Sequence, residues 1–162
     1  MTSMIHPLRK CNYTYTMRSM ETLHELEDCH FLAYRRSDRF VTRLYDRHLA
    51  KAGLSSSQFT LMMSLKVRPG IGANALADAM VMERTTLVRA LKPLRDAGWV
   101  ASTASGAGRG INFALTPEGL AKVDEGFPLW KAAKQEFEDA IGAAKADRIR
   151  LGNLAVSRLA QA

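Results

Sequence analysis

A chain of 162 residues with 47% apolar side chains is long enough for one domain with a real core. Lys and Arg outnumber Asp and Glu by 23 to 16, a formal charge of +7 that favours a polyanionic partner, either nucleic acid or an anionic membrane surface. No apolar run approaches the roughly 20 residues needed to cross a bilayer, and the two cysteines, Cys11 and Cys29, exclude a disulfide framework and a four-cysteine zinc site.

Residues 1–20 are basic through Arg9, Lys10 and Arg18 and show no sustained periodicity, so they read as a flexible arm. They also lack the apolar core of a signal peptide, which makes the expected compartment cytoplasmic. From Glu21 to Lys51 neither proline nor glycine interrupts the chain, and Leu23, Leu26, Ala33, Ser37, Val41, Leu44 and His48 follow one stripe. That spacing predicts one long helix whose far end needs another partner. Gly53 ends it. Ser55 with Gln58 three residues on is a capping box, opening a helix with Phe59, Met62, Met63 and Val67 on its buried side. Pro69-Gly70 forces a turn, and a short helix over Gly72–Met80 follows.

Met82–Gly98 carries the richest pattern. Leu87, Leu91 and Leu94 recur at helical spacing and face a core, which turns Thr85, Arg89 and Lys92 outward, with Thr86 on one shoulder and Arg84 and Arg95 on the other. Pro93 removes one backbone donor, but the leucine phase runs through it, so the expectation is a kinked helix capped by Gly98. Arginine can reach guanine edges with two hydrogen bonds, threonine offers a hydroxyl or a methyl to a base, and lysine suits a phosphate. A hydrophilic helix side alone is usually plain solvated surface. Here a short helix and a turn precede it, which is the helix-turn-helix order.

After Gly98 the period changes to two. Val100 and Ser102, then Ile111, Phe113 and Leu115, mark two strands of a hairpin with a glycine-rich tip, Ser105–Gly110, that carries Arg109. Such a wing can lay its arginine in a minor groove or on a phosphate. Thr116-Pro117-Glu118 then opens a helix with a hydroxyl cap, proline at the first position and an acid at the positive end of the dipole. Leu120, Val123, Phe127, Trp130, Phe137 and Ile141 mark its apolar side, and a last helix starts near Lys145.

The helix order, the Arg84-Thr85-Thr86-Leu87-Val88-Arg89 segment, the wing ending in Arg109 and the Leu115-Thr116-Pro117-Glu118-Gly119 restart together resemble the MarR family of bacterial regulators. The resemblance runs from Leu23 to the C-terminus and is carried most specifically by Leu76–Thr116. It implies a mainly α, α+β fold: a winged helix-turn-helix over about 55–116, inside a single domain of residues 21–162 whose long helices at about 21–52 and 117–162 form a homodimer. It further implies a regulator, usually a repressor, that binds a near-palindromic operator and is released by a small ligand or by oxidation. Two positions depart from the family pattern. Val81 stands in the turn where glycine is common, and Ala107 stands where an aspartate often orients the wing arginine.

Arg89, Thr85 and Thr86 are thus expected at base edges, Arg84 and Lys92 at phosphates, and Arg109 on the wing. Cys29 sits near the position of the reactive cysteine of peroxide-sensing relatives, with acidic neighbours that discourage a thiolate. A thiol-based peroxide switch at Cys29 is one alternative, and a winged helix used for protein contacts is another. Tyr34, Tyr45, Met63 and Trp130 are candidates for lining a pocket for a small aromatic or phenolic effector. His24, Cys29, His30 and His48 lack the tight spacing of a zinc motif, so no metal is expected. Neither a nucleophile elbow, a phosphate loop nor a dinucleotide fingerprint is present, so neither an enzyme nor a cofactor is expected.

Overall fold

The computed structural model describes residues 25–104 and 110–161. Two compact units divide the chain, Met1–Arg39 and Phe40–Ala162. In chain order the elements are α1 (His30–Leu49), α2 (Ser56–Val67), β1 (Ile71–Gly72), α3 (Ala73–Ala79), α4 (Arg84–Asp96), β2 (Val100–Ala104), β3 (Ile111–Leu115), α5 (Pro117–Ile141) and α6 (Ala143–Arg158). No described helix is long and apolar enough to cross a membrane.

The first helix is shorter than its unbroken sequence suggests. Cys29 lies outside α1: its N–H donates to the Leu26 carbonyl at 3.2 Å, and its own carbonyl accepts from Ala33 N–H at 3.0 Å. Asp28, which competes with the helical backbone for hydrogen bonds, stands at this break. Residues 21–24 of the expected helix lie outside the described residues. At the other end a 3-10 turn, Ala50–Ala52, leads to Gly53 in the left-handed conformation, with Leu54 N–H reaching the Leu49 carbonyl at 3.1 Å. This is the closure that a C-terminal glycine permits.

The capping box at α2 forms as expected: Gln58 N–H donates to Ser55 Oγ at 3.2 Å, and Ser55 N–H donates to Gln58 Oε1 at 2.9 Å. Asp46 of α1 adds a further cap, accepting from Ser56 N–H at 2.6 Å. The buried side of α2 differs from the expectation. Phe59, Leu61, Met62 and Leu65 are buried while Val67 is exposed, because α2 is packed on more than one side, against α4, α5 and β3.

Three antiparallel strands pair in the order β1-β3-β2, with Ile71 opposite Phe113 and Val100 opposite Leu115. Strand β1 occupies Ile71 and Gly72, the latter expected in the short helix. Two residues are too few to show a period, and β1 exists only because β3 offers it a pairing edge. On β2 Val100 is buried and Ser102 is not. The core gathers Leu49, Phe59, Met62, Leu65, Leu76, Leu87, Leu91, Leu94, Phe113 and Val123.

Helix α5 buries Gly119, Val123, Gly126 and Ala133, whereas Leu120 is exposed. The glycines set this face. A Cβ on Gly119 would lie 2.0 Å from the Trp99 carbonyl oxygen, and one on Gly126 would lie 2.8 Å from the Phe59 ring. On α6 only Ala146 is buried, and Ile149, Leu151, Leu154, Val156 and Leu159 remain exposed.

Val81, between α3 and α4, has φ of 52°, in the left-handed region. Its N–H donates to Asp78 O at 3.1 Å and the next, Met82 N–H, to Ala77 O at 2.9 Å. A β-branched residue thus fills the place where a helix usually ends in glycine.

Two stability predictions follow from these backbone positions. Gly119→Ala is expected to destabilise by about 1–3 kcal/mol, because the new methyl meets backbone that cannot rotate away. Val81→Gly is expected to stabilise by about 0.5–1 kcal/mol, the left-handed penalty of about 1–2 kcal/mol being partly offset by the flexibility of glycine in the unfolded chain. Urea denaturation of both variants beside the wild type measures each difference.

Candidate nucleic-acid interface and ligand cleft

Helix α4 divides its residues by face. Leu87, Leu91 and Leu94 are fully buried, while Arg84, Thr85, Thr86, Arg89, Lys92 and Arg95 are exposed. The leucine phase carries through Pro93, which lies inside the helix. At its end Gly98 takes φ of 75°, Gly98 N–H donates to Arg95 O at 2.9 Å and Trp99 N–H to Leu94 O at 2.9 Å. Gly98 therefore stops the helix as its sequence predicted.

Five of the six expected contact residues, Arg84, Thr85, Thr86, Arg89 and Lys92, share this one surface. The sixth, Arg109, lies outside the described residues. Lys92 is partnered: its Nζ donates to Asp96 Oδ2 at 2.5 Å, four residues further along the same helix. Asp96 is a member of the surface that the sequence reading missed, although its spacing from Lys92 was available as a signal. Arg84 also borders a polar cleft with Asn74, Gly72, Gly110 and Asn112, where the start of α3 meets the base of the wing. Residues so distant in sequence gave no sign of this grouping.

A second site opens behind α4. A cleft of about 430 Å³ is lined by Tyr45 of α1, Thr60 and Leu61 of α2, Met80 and Met82 around the turn, Ala90 of α4 and Trp130 of α5, among others. An adjoining cleft of about 480 Å³ shares Val41, Tyr45 and Trp130 and extends to Lys134, Phe137, Ile149 and Leu154. Tyr45 and Trp130 are thus brought together as expected. Met63 instead packs against the core, and the cleft takes its methionines from Met80 and Met82. Tyr34, in the first unit, has an exposed ring.

Burial holds the Tyr45 phenol above its ordinary pKa, with Lys134 opposing and Glu138 reinforcing the shift. Lys134 in turn donates to Glu138 at 2.6 Å, a hydrogen bond that raises its own pKa. Nearby, His48 Nε2 lies 2.8 Å from Glu136 Oε2 and Arg47 bonds the other oxygen, and these bonds hold the Glu136 carboxyl below its ordinary range. Cys29 is partly exposed at the start of α1. Among the described residues no group of three or more His, Cys, Asp or Glu is placed to hold a metal.

Residues 54–107, which run from the start of α2 into the wing, match the model of the MarR family. The match covers a third of the chain. The M. tuberculosis transcriptional regulator MosR, solved in complex with DNA, is 29% identical with a TM-score of 0.69, over 80% of this chain and 98% of that one. Two structures of CouR share the fold at lower identity. The transcriptional repressor CouR bound to a 23-mer DNA duplex is 21% identical with a TM-score of 0.75, over 83% of this chain and 96% of that one. CouR from Rhodococcus jostii RHA1 bound to p-coumaroyl-CoA is 19% identical with a TM-score of 0.70, over 82% and 94%. No curated protein sequence matches the chain. MosR and CouR are transcriptional regulators, and this chain shares their winged-helix fold.

The Lys92–Asp96 pair yields a prediction for this surface. Removing the carboxylate frees a cation and deletes a charge that repels phosphate. Asp96→Asn is expected to tighten DNA binding up to about fivefold at low salt, the span of an exposed ion pair worth at most about 1 kcal/mol. A binding titration at two salt concentrations checks it, the gain shrinking at the higher one.

Proposed function

We propose that this chain works as a homodimeric repressor that binds a near-palindromic operator and is released by a small aromatic ligand. The observation that carries the DNA half is the segregation on α4 of three fully buried leucines from an exposed face of Thr85, Thr86, Arg89 and Lys92. A helix so anchored presents its outer side chains in one fixed register, which reading a groove requires. Arg89, Thr85 and Thr86 meet base edges, Arg84 and Lys92 hold phosphates, and Arg109 reaches from the wing.

The apolar side chains left exposed along α6 and the turn after it, Ile149, Leu151, Leu154, Val156 and Leu159, support the dimer, since an uncovered patch of this kind marks a protein contact. Two reading helices about 34–36 Å apart then enter successive major grooves, which is why the operator is near-palindromic. The effector half is supported by the cleft that Tyr45 and Trp130 line, because its wall includes both flanks of the turn and the inner side of α4. A ligand there releases DNA only to the extent that it prefers the arrangement that does not bind the operator.

Selection of bound sequences from random duplex DNA, followed by a salt titration on the winner, tests the reading. A near-palindromic consensus with steep salt dependence is expected; recovery of no consensus would overturn it. On that operator Arg89→Ala is expected to cost about 1–3 kcal/mol and to relax specificity. Lys92→Ala should weaken all sequences alike and reduce the salt slope by about 0.9. The same assay tests the thiol alternative: peroxide leaves the complex intact under the ligand reading, whereas a Cys29 switch would release DNA from the wild type and not from Cys29→Ser.

A further inference from the structure

The cleft behind α4 has an unusual lining for its size. Its polar side chains are the hydroxyls of Thr42, Tyr45, Ser56, Ser57 and Thr60, and among the described residues no charged side chain lines it. The remainder of the wall is apolar and polarisable, through Trp130, Leu61 and the thioethers of Met80 and Met82. We propose that this cleft takes an uncharged hydroxylated aromatic of one or two rings and discriminates against the carboxylate of the same shape. The inference rests on the effector reading above and specifies the chemistry of that site.

Charge is decided first. A carboxylate taken out of water needs a paired cation or several strong donors, and without them the loss is several kcal/mol. Lys134, which acts electrostatically on Tyr45 from the adjoining cleft, has its ammonium bonded to Glu138 at 2.6 Å. Arg150 of that cleft is likewise held by Asp147 at 3.0 Å. Both cations that line the adjoining cleft are therefore paired with carboxylates of their own helices.

The polar groups that do line the cleft suit a ligand hydroxyl. Each side-chain hydroxyl both donates and accepts, so a phenol can be met in either sense. Thr60 Oγ1 donates to the Ser56 carbonyl at 2.8 Å, which commits its proton and leaves its lone pairs for an incoming O–H. Tyr45, kept protonated by burial, is a donor. The Trp130 face and the two methionine sulfurs provide the stacking and sulfur contacts that aromatic rings favour. A volume of about 430 Å³ falls at the small end of ligand pockets, which restricts the guest to one or two rings.

The site also has a route to the DNA face. Met80 and Met82 bracket Val81, the non-glycine residue held at φ of 52°, and Ala90 lies on the inner side of α4. A guest pressing on these walls touches both ends of the turn that sets where α4 begins.

Calorimetric titration of the full chain at pH 7 with two isosteric sets tests the proposal: 3,4-dihydroxyacetophenone and 4-hydroxyacetophenone as neutral probes, 3,4-dihydroxybenzoate and 4-hydroxybenzoate as anionic ones. The expected result is that a neutral probe binds at least about tenfold more tightly than its anionic counterpart, about 1.4 kcal/mol. Thr60→Val and Tyr45→Phe should each weaken it severalfold, while Asn153→Ala in the adjoining cleft leaves it unchanged. Thermal melts of the three variants separate lost contacts from lost folding. Equal or tighter binding of the carboxylates would overturn the neutral-ligand inference and leave the effector reading standing. Binding of neither set would overturn both. A neutral probe whose affinity falls with Asn153→Ala and not with Thr60→Val would place the site in the other cleft and overturn the assignment made here.

Discussion

Four segments of the winged helix meet at one backbone junction, and the geometry of the rest depends on it. Thr116 N–H donates to the Trp99 carbonyl at 3.0 Å, Thr116 Oγ1 donates to the Gly98 carbonyl at 2.8 Å, and the same oxygen accepts from Gly119 N–H at 3.0 Å. The end of α4, the start of β2, the end of β3 and the first turn of α5 are thereby tied by one side chain and three hydrogen bonds. The tie works only because Gly119 has no Cβ and lets α5 rest on the Trp99 carbonyl. Helix α4 and the strands of the sheet are thus held in fixed relation to each other and to the long helix that follows them.

That rigidity explains how a short helix containing proline can serve. Pro93 costs α4 one backbone hydrogen bond, but the buried leucines on either side of it and the left-handed Gly98 at its end fix the phase and the stopping point. The exposed face needs no internal order of its own. Its arginines and threonines are solvated, and among the described residues its internal ion pair, Lys92 with Asp96, is exposed and contributes little to stability.

Behind the reader the chemistry changes character. The contacts joining α1 to α5 are charged, with Glu136 bound by His48 and Arg47, and the adjoining cleft contains Lys134–Glu138 and Arg150–Asp147 pairs. The cleft against the turn has hydroxyls and thioethers in place of charge. Ion pairs at the outer end and neutral groups next to the turn divide the helical scaffold into a part that holds position and a part that can admit an apolar guest. Val81 lies on the second side, held in a backbone conformation that costs about 1–2 kcal/mol and so leaves the turn easier to displace than a glycine would.

What the sequence determined by itself is everything written in local chemistry. The leucine spacing of α4, the Ser55–Gln58 box, the Thr116-Pro117 start of α5, the glycine stops at 53 and 98 and the alternating strand of the wing all act within a few residues, and each formed where expected. Tertiary structure decided whatever depends on residues far apart in the chain. Strand β1 required β3 to pair with. The buried side of α5 was set by close approach at Gly119 and Gly126 rather than by the larger Leu120, because backbone contact outranks side-chain size when no Cβ intervenes. Of the cleft, Tyr45 and Trp130 stood out in the sequence, but the rest did not: its other hydroxyls come from α1 and α2 and its thioethers from the turn, and no periodicity links them. Caps and periods are properties of one segment, whereas a cavity is a property of the space that several segments fail to fill.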